Sequence, residues 1–128
     1  MGDKLEILVL DDEPIVGERL KPFLEREGHE VEVFVDPHEA LTRLKVKEFD
    51  IVLTDVRMEK NDGIQVLERV RAKSDRTKVL MITGYATVEL ARQALSKGVF
   101  DFIAKPFKLE DIRAMVNKAS EALRSEGT

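Results

Sequence analysis

Leu5-Glu6-Ile7-Leu8-Val9-Leu10-Asp11-Asp12-Glu13-Pro14 is the stretch that decides the fold. Five of its first six residues are aliphatic, the composition of a strand buried on both faces, as parallel sheets require. The strand breaks into three acids, and Pro14 suits the first turn of a helix. From Pro14 to about Glu27, Val16, Leu20, Phe23 and Leu24 recur at i, i+4, i+7 and i+8, one helical face. Gly28 suits the end of that helix, and Pro22 inside it is expected to cause a kink. A buried strand feeding an amphipathic helix is one β-α unit.

The same unit recurs down the chain. Residues 31–35 alternate as a second strand, and Asp36-Pro37-His38-Glu39 opens a helix with an acidic cap and proline at its first position. Ala40, Leu41 and Leu44 form its apolar stripe. A third strand is expected over 49–54 and a third helix over 63–73, with Ile64, Leu67 and Val70 inward. The fourth pair covers 78–82 and about 87–97, with Val88, Ala91 and Leu95 as the inward stripe and Gly98 at the end. The fifth covers 99–104, with Asp101 mid-strand as an edge strand tolerates, and a helix from about 109 to 123. Ile112, Met115, Val116, Ala119 and Leu123 share one face of that last helix. Five consecutive β-α units predict an α/β, doubly wound parallel sheet, and five strands favour the order 2-1-3-4-5. Residues 1–124 are then one domain, and 125–128 a C-terminal tail or the start of a linker.

The 128 residues suit a single domain. Twenty-one Lys and Arg against 25 Asp and Glu leave −4, so the basic surplus that direct nucleic-acid binding needs is absent. With no cysteine, thiol nucleophiles, zinc-thiolate sites and disulfide scaffolds drop out. The longest apolar runs, 7–10 and 79–82, are four residues each, far below a membrane span. A cytoplasmic protein is expected.

In a sheet of this order, function gathers past the carboxyl ends of the strands, where strands one and three flank the switch in direction. The residues there are Asp11 and Asp12 after strand one, Asp55 after strand three, Thr83-Gly84 after strand four, and Lys105-Pro106 after strand five. Three converging carboxylates sum to −3, and Lys105 reduces this to −2, the complement of one hard divalent cation. Oxygen-only ligands point to Mg²⁺. A phosphoryl group on Asp55 would add about one further negative charge, which such a site tolerates. Thr83 and Lys105 are placed to contact phosphoryl oxygens. Leu90 and Ala94 fall off the main stripe of helix four, and with strand five and helix five they offer a partner surface.

Five stretches together resemble the receiver domain of two-component response regulators, over essentially the whole chain: Val9-Leu10-Asp11-Asp12-Glu13, the segment Asp50-Ile51-Val52-Leu53-Thr54-Asp55-Val56-Arg57-Met58, Asp62-Gly63, Thr83-Gly84-Tyr85-Ala86-Thr87, and Asp101-Phe102-Ile103-Ala104-Lys105-Pro106-Phe107. The resemblance implies that Asp55 accepts a phosphoryl group from a sensor histidine kinase or phosphotransfer protein. It implies Mg²⁺ held by Asp12, Asp55 and the backbone carbonyl of Arg57, with Asp11 acting through water. It implies Thr83 and Phe102 as a switch pair, a cis bond before Pro106, and control of an output partner, with a phosphorylation-dependent dimer as one form. Such a domain catalyses its own phosphorylation and dephosphorylation and is not a turnover enzyme. The loop departs from the family pattern after Met58, where Glu59-Lys60-Asn61 stands in place of the usual proline. Arg57 and Tyr85 are expected to border the path of hydrolytic water. Two alternatives remain at this point: a Mg²⁺-dependent phosphatase with an aspartate nucleophile, and a receiver-like binding module that is never phosphorylated.

Overall fold

In the structure, a computed structural model, residues 4–56, 63–84 and 88–127 are described, with backbone alone at 88, 90 and 91. Five strands alternate with five helices: β1 (Glu6–Leu10), α1 (Pro14–Arg26), β2 (Glu30–Phe34), α2 (Pro37–Val46), β3 (Ile51–Asp55), α3 (Gly63–Lys73), β4 (Lys78–Thr83), α4 (Val88–Ser96), β5 (Asp101–Ala104) and α5 (Leu109–Glu126). All strand pairs are parallel, in the order β2-β1-β3-β4-β5. The expected α/β doubly wound architecture is therefore the observed one.

The pleat explains why both faces of β1 are apolar. Ile7 and Val9 join Leu20, Leu24, Ile112 and Val116 in the core under α1 and α5, while Leu8 and Leu10 join Leu67, Val70 and Ala94 in the core under α2, α3 and α4. Asp36 caps α2 as its sequence indicates, its Oδ1 accepting the His38 amide at 2.9 Å. Lys73 on α3 donates to the carbonyls of Leu44 and Lys45 at the far end of α2, a cation set against the negative end of a helix. The helix α1 continues through Pro22.

Three expectations need correction. The inward residue at the end of α4 is Ala94 and not Leu95: Ala94 is fully buried, whereas Leu95 is 66% exposed. The cause is the helix end. Gly98 adopts φ +94, its amide donates to Leu95 O at 3.2 Å, and the Val99 amide donates to Ala94 O at 3.1 Å. That Schellman arrangement brings the residue after the glycine onto the residue five positions before it, so buried Val99 packs in the same core as Ala94. The same arrangement consumes Val99 in the helix end, so β5 begins at Asp101, which is its first residue and not its middle one. Lastly, α5 runs to Glu126, past the expected end at about residue 123. Its last turn is tied back to the start of β4 by the Lys78–Glu126 pair at 2.5 Å.

Candidate functional site

Register determines what meets at the carboxyl edge. Leu10 pairs with Thr54, so the next residues, Asp11 and Asp55, emerge side by side from adjacent strands. Thr83 pairs with Ala104, and the Lys105 amide donates to Thr83 O at 2.7 Å, which sets Lys105 beside the same edge. The Lys105–Pro106 bond is cis, as the resemblance implied.

Lys105 is the hub. Its Nζ lies 2.8 Å from Asp11 Oδ2, 3.1 Å from Asp55 Oδ2 and 2.6 Å from Glu13 Oε1. Asp11 and Asp55 are 2% and 5% exposed. Asp11 Oδ1 accepts the Glu13 amide at 2.9 Å, so one carboxylate both shapes the turn into α1 and faces the lysine. Asp12 completes the cluster: Asp11, Asp12 and Asp55 each present an oxygen within 4.8 Å of the others. Asp12 itself is exposed.

The charges strain against burial. Burial pushes the Asp11 carboxyl above its ordinary range, and the neighbouring Asp55 adds to this against the opposing pull of Lys105 and the Glu13 amide. Burial also works against the Lys105 ammonium, yet its hydrogen bonds to Asp11, Glu13 and Asp55 outweigh it and hold the group above its ordinary value. Glu13 is drawn below the usual carboxylate range by Lys105. Glu13 is the residue that sequence reasoning missed. It was visible only as the third acid after β1, and its partner lies 92 positions away. Counting it changes the charge balance, since four carboxylates against one ammonium leave −3, not −2. Three oxygen donors in a site this negative fit a hard divalent cation. Asp11 Oδ2 supports the fit, being buried, paired by charge with the Lys105 ammonium and without a hydrogen bond of good geometry among the described residues.

Thr83 is fully buried as the last residue of β4. Phe102, on β5, is half-buried and packs against the core under α2, α3 and α4. The expectations for Arg57, for Tyr85 and for the loop Glu59-Lys60-Asn61 lie outside the described residues, as does the side chain of Leu90. Ala94 is buried and so is withdrawn from the partner surface, while Leu95 takes its place on the exposed side of α4.

Known proteins match this arrangement. ZraR, a transcriptional regulatory protein of Salmonella typhimurium (strain LT2), is 34% identical over 124 residues, covering 97% of this chain and 28% of the relative. FixJ, a transcriptional regulatory protein of Bradyrhizobium diazoefficiens, is 35% identical over 119 residues, covering 93% of this chain and 58% of the relative. The chain thus spans between about a quarter and three fifths of these regulators. Among solved structures, the beryllofluoride-activated NtrC4 receiver domain dimer superposes with a TM-score of 0.86 at 30% identity, covering 92% of this chain and 98% of that one. A CheY-like receiver domain protein from Methanospirillum hungatei JF-1 does so at 0.92 and 27%, covering 97% and 99%. No helix among the described residues is long and apolar enough to cross a membrane. Residues 7–117 match the family described as the response regulator receiver domain, and the chain belongs to that family.

Proposed function

We propose that this receiver domain takes up a phosphoryl group on Asp55 in a Mg²⁺-dependent reaction and uses it to switch its surface. The observation that carries the reading is Asp55 itself: a carboxylate 5% exposed at the end of β3, 3.1 Å from an ammonium and clustered with Asp11 and Asp12. A carboxylate oxygen of Asp55 attacks the phosphorus of a phosphohistidine on a sensor kinase or phosphotransfer protein. The P–O bond forms as the P–N bond breaks, and the electron pair leaves with the imidazole nitrogen. Asp11, Asp12 and Asp55 would hold Mg²⁺, with the Arg57 carbonyl that the family resemblance implies, and the ion would offset the charge on the phosphoryl oxygens.

Lys105 then orients a phosphoryl oxygen, and Thr83 donates its hydroxyl to another, drawing the end of β4 toward Asp55. Phe102 follows on β5. The altered surface of α4, β5 and α5 is the face offered to an output domain or protein, or to a second copy of the chain. The relatives' greater length supports an output module in the same polypeptide. One phosphoryl group per molecule is taken up and later lost to water, so the domain is not a turnover enzyme.

Intact mass after incubation with acetyl phosphate and Mg²⁺ tests this. One added phosphoryl group is expected, absent in Asp55→Asn and absent with EDTA. Uptake that survives Asp55→Asn would overturn the assignment, and repeated turnover of a phosphate ester would favour a phosphatase.

A further inference from the structure

The Glu13–Lys105 contact has no role in the scheme above, and the geometry points to one. We infer that Glu13 is a positioning residue: a displaceable acceptor that holds Lys105 at the rim of the site and yields it to the incoming phosphoryl group. The inference rests on the phosphoacceptor reading and concerns the same site.

A lysine ammonium carries three hydrogens and no more. Here three carboxylates surround it, at 2.6 Å (Glu13), 2.8 Å (Asp11) and 3.1 Å (Asp55); it donates hydrogen bonds to Glu13 and Asp55 and pairs with Asp11 by charge, so acids occupy all three close positions around it. A phosphoryl oxygen that reaches Lys105 must replace one of them. The side chains of Asp11 and Asp55 are 1% and 7% exposed, and abandoning either strands a charge away from water. The Glu13 side chain is 60% exposed, so water receives it at little cost. Its exposure also puts it on the open side of the lysine, where a phosphodonor enters.

Glu13 is not there by the accident of a floppy side chain. Its backbone is the N-cap of α1, with an extended conformation of φ −89° and ψ 109°, and its amide is fixed by Asp11 Oδ1. The acid that faces Lys105 from within the site therefore also sets the residue that faces it from outside. Two effects of Glu13 act in the same direction. It competes with the phosphoryl oxygen for one N–H, and its own charge repels an arriving phosphate.

The test is beryllofluoride affinity, read by NMR titration in Mg²⁺, together with the rate of phosphorylation by acetyl phosphate. An exposed ion pair corresponds to a factor of about two to five. Glu13→Gln should tighten beryllofluoride binding and speed phosphorylation by that factor, and Glu13→Asp should fall between Glu13→Gln and wild type. In a Lys105→Gln background the gain in beryllofluoride affinity from Glu13→Gln should be smaller, because competition for the ammonium is gone and only the charge repulsion remains. Unchanged or weaker binding by Glu13→Gln, or an equal gain without Lys105, would overturn the inference while leaving phosphorylation of Asp55 intact. Wild type that takes up neither beryllofluoride nor phosphate would overturn both readings.

Discussion

Replacing Gly63 with alanine is expected to disturb the phosphoacceptor from the far side of the loop that follows it. Gly63 opens α3, and its amide donates to Val56 O at 2.6 Å, closing the path from β3 back to the helix. A Cβ added there would stand 2.2 Å from Asp55 O, 2.9 Å from the Val56 Cα and 3.0 Å from the Asp55 carbonyl carbon. All three atoms are backbone, so no rotamer change relieves the clash. Reaching even 3.0 Å from the oxygen needs a shift of about 0.8 Å, in a core packed like a solid. Overpacking of this kind costs about 3 kcal/mol at its upper end. The shift falls on the peptide that carries Asp55, whose contact with Lys105 at 3.1 Å is already the longest of the lysine's three. Gly63→Ala should therefore lower the urea midpoint by an amount equivalent to about 3 kcal/mol and slow phosphorylation by acetyl phosphate at least tenfold. Gly28→Ala is the control. Its φ of +100 strains an alanine by about 1 kcal/mol, but nothing lies within 4 Å of the added carbon. It should lose stability with an unchanged phosphorylation rate. A Gly63→Ala protein as stable and as reactive as wild type would refute the steric argument.

Burial holds the His29 imidazole below its ordinary pKa, and its Nδ1 accepts the Leu5 amide at 3.1 Å, so protonation costs a hydrogen bond as well as hydration. The unfolded chain takes up that proton first. Stability is thus fully present above about pH 6.5 and erodes as pH falls from there toward the folded-state pKa, with a slope of at most about 1.4 kcal/mol per pH unit. Urea titrations of wild type and His29→Asn between pH 7.5 and 5 should show a smaller slope in the variant, and parallel slopes would exclude this histidine. Lys105→Met removes the counter-charge of two buried carboxylates and should cost about 3 kcal/mol without Mg²⁺. Millimolar Mg²⁺ should recover part of that loss, and an equal loss with and without the ion in urea melts would count against the cation site. Leu95→Ser should change stability by less than about 0.5 kcal/mol, whereas Ala94→Leu should cost about 2 kcal/mol, and the reverse order would restore Leu95 as the inward residue.

The fold was legible because its signals are local and redundant. The strands are apolar runs, or for β2 an alternation, each helix is a 3.6-residue stripe, and the pattern agrees with one parallel sheet. What failed at α4 was a choice between neighbours. Leu95 was placed inward because it shares a helical stripe with Val88 and Ala91, but spacing alone is a weaker guide than the helix end. Gly98 at positive φ obliges the following Val99 to pack back on Ala94. The pattern at α1 is the same: Gly28 at φ +100, with the His29 amide on Leu24 O and Leu24 buried. A terminal glycine in such a sequence thus identifies an inward residue four positions before it, and this signal was available at both helices.

The site was legible for a different reason, since topology alone brings the ends of β1, β3, β4 and β5 to one edge, and the residues there were read off by position. Topology does not say how side chains divide a shared partner. Lys105 was counted as offsetting one of three charges, yet it is held by three acids, of which only Asp11 and Asp55 are buried. Glu13 escaped notice because an exposed acid at the start of a helix has a sufficient local explanation, the favourable interaction with the helix's positive end. That explanation is incomplete here. The residue two places beyond a buried aspartate, with its amide held by that aspartate, is carried to a position where an exposed carboxylate reaches Lys105 without being trapped beside it. A buried acid there would hold Lys105 permanently, and an uncharged residue would leave the rim of the site open to any phosphate. An exposed one leaves the lysine engaged at rest and releasable at little energetic cost, which is the property the proposed phosphoryl uptake would require.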